Sequence, residues 1–127
     1  MLRTPNRALL AALAILLATS CGSDEEPSAE GGAATVLEVA ADPGGGLRFD
    51  REELTAGAGR VTIEMANPSA VPHAVGIKSD GLDVKGETVG KDGVSTVSAE
   101  LEPGVYGFYC PVGSHEAAGM RGELQVE

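Results

Sequence analysis

The residues best suited to chemistry lie near the C-terminal end of this chain, where the run CPVGSHEAAGM places Cys110, His115 and Met120 within eleven residues. Upstream, His73 follows Pro72 and is the only other histidine. A soft thiolate, two imidazoles and a weak thioether together make a donor set that suits copper in a blue electron-transfer site. Zinc more often takes four strong ligands, and a thioether is a poor one. Singly, each residue has an ordinary alternative: His73 as a satisfied core histidine, Cys110 as an inert buried thiol, Met120 as core filler like Met65, His115 as a surface loop residue. Chance rarely supplies all four donors together at these spacings.

The elements that would position these donors read as strands. Val61, Ile63 and Met65 alternate with Arg60, Thr62, Glu64 and Ala66, and Asn67-Pro68 ends the run. Leu37, Val39 and Ala41 share a face in the same way, as do Val97, Ala99 and Leu101 before the turn at Pro103-Gly104, and Leu124 and Val126 at the end. In VYGFYC, Cys110 shares a face with Tyr106 and Phe108, so its thiol points to the core, while Tyr109 points the other way. In HAVGIK, His73 shares a face with Val75 and Ile77. No window after residue 34 sustains a 3.6-residue period, and 18 glycines and 7 prolines supply many turns. The expected fold is all-β, a Greek-key β-sandwich of about seven to eight strands.

The segment GVYGFYCPVGSHEAAGMRGELQV resembles the C-terminal copper loop of plastocyanin and its relatives, and NPSAVPHAVGI resembles their first-histidine segment. That family is the cupredoxins, and the similarity covers residues 35–127. The Cys-to-His spacing is two residues longer than in plastocyanin and is similar to that of rusticyanin and auracyanin. The resemblance implies one type 1 copper, with His73 and His115 as equatorial nitrogen ligands, Cys110 as the thiolate and Met120 as the axial ligand. It also marks two departures. Where many relatives have an Asn after the first histidine, tied to a hydroxyl residue after the cysteine, this chain has Ala74 and Pro111. The loop is then expected to be stiffened by Pro111 and by packing of Val112, with the Ala74 N–H still available to the sulfur. Tyr109 resembles the tyrosine beside the copper cysteine of plastocyanin, although an outward tyrosine on a half-exposed strand is also ordinary.

The N-terminus carries Arg3 and Arg7 followed by the apolar run ALLAALAILLA, too short for a bilayer span of about 20 residues. Residues 1–20 read as a signal peptide. The stretch LLATSC resembles a bacterial lipobox, which implies lipidation of Cys21 and attachment to a membrane. No Arg-Arg pair is present, which favours the general secretory route. Residues 21–34 are acidic and rich in small residues, a flexible linker with a reach on the order of 20 Å. The expected location is the extracytoplasmic face of a bacterial membrane, or the periplasm.

Removing residues 1–20 takes two of nine basic residues and none of nineteen acidic ones, leaving seven against nineteen and a formal charge of −12. Such a balance argues against nucleic acid and for a redox partner with a basic docking patch, such as a cytochrome or oxidase domain. A monomer is expected. One-electron transfer is the leading function, and copper storage or delivery is the alternative, for which clustered or exposed methionines would be expected. An enzyme is not expected, because both histidines are already used and a second copper centre would need more.

Overall fold

The computed structural model describes residues 34–127. The signal segment, Cys21 and residues 22–33 of the linker lie outside the described residues. The first strand begins at Ala34, assigned above to the linker, because Ala34 is already in register with Arg60.

Eight strands follow: β1 (Ala34–Ala40), β2 (Glu53–Ala56), β3 (Gly59–Asn67), β4 (Gly76–Ser79), β5 (Leu82–Lys85), β6 (Gly93–Leu101), β7 (Gly104–Tyr109) and β8 (Arg121–Val126). They form two sheets, one ordered β1-β3-β6 and the other β2-β8-β7-β4-β5. Consecutive strands repeatedly change sheet, and β1 and β2 run parallel to β3 and β8 while the remaining pairs are antiparallel. This is the expected Greek-key β-sandwich.

Alternation in the sequence sets the inner face. Val61, Ile63 and Met65 on β3 are fully buried, as are Ile77 on β4, Phe108 on β7 and Leu124 on β8. Each such side chain removes apolar surface from water at roughly 25 cal/mol per Å², which makes the facing inner surfaces the main source of cohesion. Phe108 is packed tightly: its ring lies 5.3 Å from that of Phe49, and it occupies the space a Cβ would need at Gly122, its partner across β7 and β8.

The topology delivers the four candidate donors to one end of the sandwich. Because β4 and β7 are antiparallel, with Gly76 opposite Tyr109, the start of β4 lies beside the end of β7. His73 precedes β4 and Cys110 follows β7. The β7–β8 pairing, with Tyr109 opposite Arg121, returns the chain to the same place, so Met120 sits across from Cys110. His115 lies in the turn between them.

Candidate metal centre

Cys110 is buried, and its backbone N–H donates to the Met120 carbonyl at 3.0 Å, closing the loop at its neck. Inside the loop the His115 N–H donates to Val112 O at 3.0 Å, and the Met120 N–H donates to His115 O at 3.0 Å. Gly119 turns the chain at φ 120°, a conformation that excludes most side chains, before Met120 enters the core. Val112 is partly buried against the core, as expected for a residue that stiffens the loop.

His73 is held from the other side. Its N–H donates to Val89 O at 3.1 Å, and the Val89 N–H donates back to His73 O at 2.8 Å. Asn67 braces this pair. Its buried amide donates to Val71 O at 2.8 Å and to Val89 O at 3.0 Å, while its oxygen accepts from the N–H and hydroxyl of Ser69 at 3.0 and 2.8 Å. Two donors and two acceptor positions are the full capacity of an amide side chain. Two residues beyond His73, the Val75 N–H donates to Ser95 Oγ at 3.2 Å.

The result is a convergence on one sulfur. Cys110 Sγ lies 3.6 Å from His115 Nδ1 and 3.9 Å from His73 Nδ1, and the donor atoms of the three residues all lie within 4.8 Å of one another. The imidazole rings meet edge-on, with centroids 5.1 Å apart. A metal with bonds of about 2.0 Å to nitrogen and 2.3 Å to sulfur at a trigonal angle needs nitrogen and sulfur about 3.7 Å apart. A thiol proton can serve only one of the two nitrogens, whereas a cation between them engages both. The donor set therefore fits one soft metal ion, with the Met120 backbone bonded to that of Cys110. His73 Nε2 is buried without a hydrogen-bond partner. Burial, and secondarily the neighbouring His115, pushes the His73 pKa below its ordinary value, which keeps the ring neutral, the form that binds metal.

A family model described as copper binding proteins of the plastocyanin/azurin family matches residues 35–127. The chain belongs to that family. It is a blue copper protein of the cupredoxin type, of a kind that serves electron transfer in general, and one copper is its cofactor. Among solved structures, dithionite-reduced auracyanin from Roseiflexus castenholzii is 25% identical, with 76% of this chain and 99% of that one covered and a TM-score of 0.61. Auracyanin A from Chloroflexus aurantiacus, a blue copper protein, shares the fold at 22% identity and a TM-score of 0.64, with 75% and 100% covered. Amicyanin from Paracoccus versutus is 26% identical, with 72% and 81% covered and a TM-score of 0.56. No curated protein matches the chain by sequence.

His73, Cys110 and His115 are thus brought together in this cupredoxin, and Met120 lies at the loop neck. One expectation differs from what is found. Among the described residues the polar contacts of Cys110 Sγ are the two imidazoles, and the Ala74 N–H is not one of them. Tyr109 takes the face its parity assigns, yet it is only 5% exposed. It lies against Gly76, where a Cβ would meet its ring at 2.9 Å, and its hydroxyl donates to Asp83 Oδ1. Burial, then the bond to Asp83, pushes its pKa up to about 12. Asn67 is the positioning residue that strand reading misses, since Asn-Pro registers only as a strand end. Its signal is the Asn-x-Ser spacing, in which Asn67 folds back on Ser69.

Replacing Asn67 by alanine should lower stability by about 2 kcal/mol, since several buried hydrogen bonds lose a partner. It should also weaken copper binding. Urea unfolding and a copper competition titration check this; unchanged affinity would mean that Asn67 does not hold His73 in place.

Proposed function

We propose that this cupredoxin is a mononuclear blue copper carrier that shuttles single electrons between redox partners outside the cytoplasm, with His73, Cys110 and His115 as equatorial ligands and Met120 as the axial one. The observation that carries the reading is the approach of both Nδ1 atoms to Cys110 Sγ at 3.6 and 3.9 Å, at one end of the sandwich where His73, Cys110 and Met120 are buried and His115 is partly so. Copper in such a site supplies a one-electron couple. The chain's own contribution is to hold the donors still. The pairing of His73 with Val89, the Asn67 brace and the Cys110–Met120 closure fix the backbone on both sides of the site, so little rearrangement is asked of it when charge changes. Burial of Cys110 and Met120 keeps water from the sulfur atoms.

Storage or delivery is less well supported, because Met65 and Met120 are both buried and present no thioether surface. A catalytic copper domain is not proposed, since both histidines of the chain already face Cys110. The formal charge of −12 after removal of residues 1–20 suits a partner with a basic patch, and its attraction should weaken with salt. Acylation of Cys21 would tether the domain, as a monomer, to the outer face of a bacterial membrane.

Replacing Cys110 by serine should abolish the intense visible band of the copper form. Met120→Leu should keep the band and raise the reduction potential, because loss of a weak donor disfavours Cu(II). A Met120→Leu protein with the parent potential would remove Met120 from the ligand set.

Cys21→Ala should release the domain from the membrane fraction or leave an uncleaved precursor. Retention of correctly cleaved Cys21→Ala protein on the membrane would refute the anchor.

A further inference from the structure

Apart from the β4–β7 ladder, the backbone and amide links around the metal site hold the first-histidine segment and the cysteine loop each to its own neighbours. A side-chain tie between them is also present, on the outside of the sheet. Lys78 lies on β4, the strand that leads away from His73. Its ammonium sits 4.4 Å from the centre of the Tyr109 ring and 2.5 Å from Glu116 Oε2. Tyr109 is the residue before Cys110, and Glu116 is the residue after His115. One cation therefore touches a neighbour of each ligand on the far side of the site. Glu116 is held at a second point as well, because Arg121 donates to its carbonyl at 3.2 Å.

We propose that Lys78 is a positioning residue for the metal site, clamping the His115 loop to β4 and β7 through Glu116 and Tyr109. The inference rests on the copper reading of the site. The physical basis is that each contact alone is modest but the two are made by one ammonium. A half-exposed ion pair is weak and screened by salt, whereas the same cation lying over an aromatic face gains a second attraction that keeps its long stem ordered. The ring beneath it is well fixed, being buried against Gly76 with its hydroxyl bonded to Asp83. Glu116 belongs to the single turn that carries His115, with the Gly119 N–H donating to Glu116 O at 3.0 Å and the Met120 N–H to His115 O at 3.0 Å. Restraining the Glu116 side chain thus restrains the turn that aims the imidazole. The tie takes the place of the link between the two ligand segments that Ala74 and Pro111 do not make.

The charges also give the clamp a sign. With Lys78 neutralised, the Glu116 carboxylate beside the site is unpaired and favours the more positive Cu(II), lowering the reduction potential. With Glu116 neutralised, the unpaired ammonium raises it.

The test uses Lys78→Met, which keeps the apolar stem, together with Glu116→Gln, the double variant, and Lys78→Arg as the conservative rescue. In the metal-free protein at low salt, the amides of Ala118, Gly119 and Met120 should exchange about three- to tenfold faster in each single variant. The effects should not add in the double, because both remove the same pair. Lys78→Arg should restore slow exchange, and the amides of Ile63 and Val97 in the core should be unaffected throughout. In the copper form, Lys78→Met and Glu116→Gln should shift the reduction potential in opposite directions, the double returning towards the parent. Loop exchange unchanged in Lys78→Met, additive effects in the double, or faster exchange with the parent potential in every variant would each overturn the clamp. A parent protein that takes up no copper and shows no visible band would instead overturn the copper reading, which the exchange data do not depend on.

Discussion

Holding two imidazole nitrogens against one buried sulfur is the constraint on which the rest of the structure depends. Nothing about a lone thiol requires two rings at 3.6 and 3.9 Å, and orienting polar groups in a buried site costs both desolvation and conformational freedom. The sandwich meets that cost away from the site. The inner faces of β3, β6, β7 and β8 bury Val61, Ile63, Met65, Val97, Phe108 and Leu124, and a packed interior gives the ends of the strands fixed positions. Cys110 and Met120 belong to the same apolar cluster, so the metal site is an extension of the core rather than an attachment to its surface.

Two kinds of hydrogen bonding then convert a rigid core into a rigid site. On the cysteine side, backbone groups draw the loop together: the Cys110–Met120 bond and the bonds to Val112 and His115 carbonyls close an eleven-residue stretch on itself, and Lys78 meets it from outside through Glu116. On the first-histidine side the backbone alone leaves the chain loosely held, because the segment between β3 and β4 has no strand to lie on beyond the His73–Val89 bridge. The fully bonded amide of Asn67 takes up that role, and Val89 O accepts from both Asn67 and His73. The orphaned His73 Nε2 is consistent with a ring placed for what its Nδ1 faces.

Much of this was legible in the residues because the period-two pattern is unambiguous where one face is buried. Val61, Ile63 and Met65 marked β3, and the parity of Cys110 with Phe108 placed the thiol inward. The four candidate donors were legible through their chemistry and spacing. Tyr109 was not, because parity says which face a side chain takes but not what covers that face. Gly76 opposite it leaves room for the ring to lie down, and Lys78 roofs it. Asn67 was equally hidden: a single amide before a proline carries no periodic signal, and its importance appears only once Val71, Ser69 and Val89 are brought around it by the fold.

The central claim is that these convergent donors form a blue copper centre. Titrating the metal-free domain with Cu(II) under anaerobic conditions and following the visible spectrum tests it most directly. An intense thiolate-to-copper band should appear, saturate at one copper per chain and bleach reversibly on reduction by one electron. A protein that remains colourless with copper bound, or a band that saturates at another stoichiometry, would contradict it.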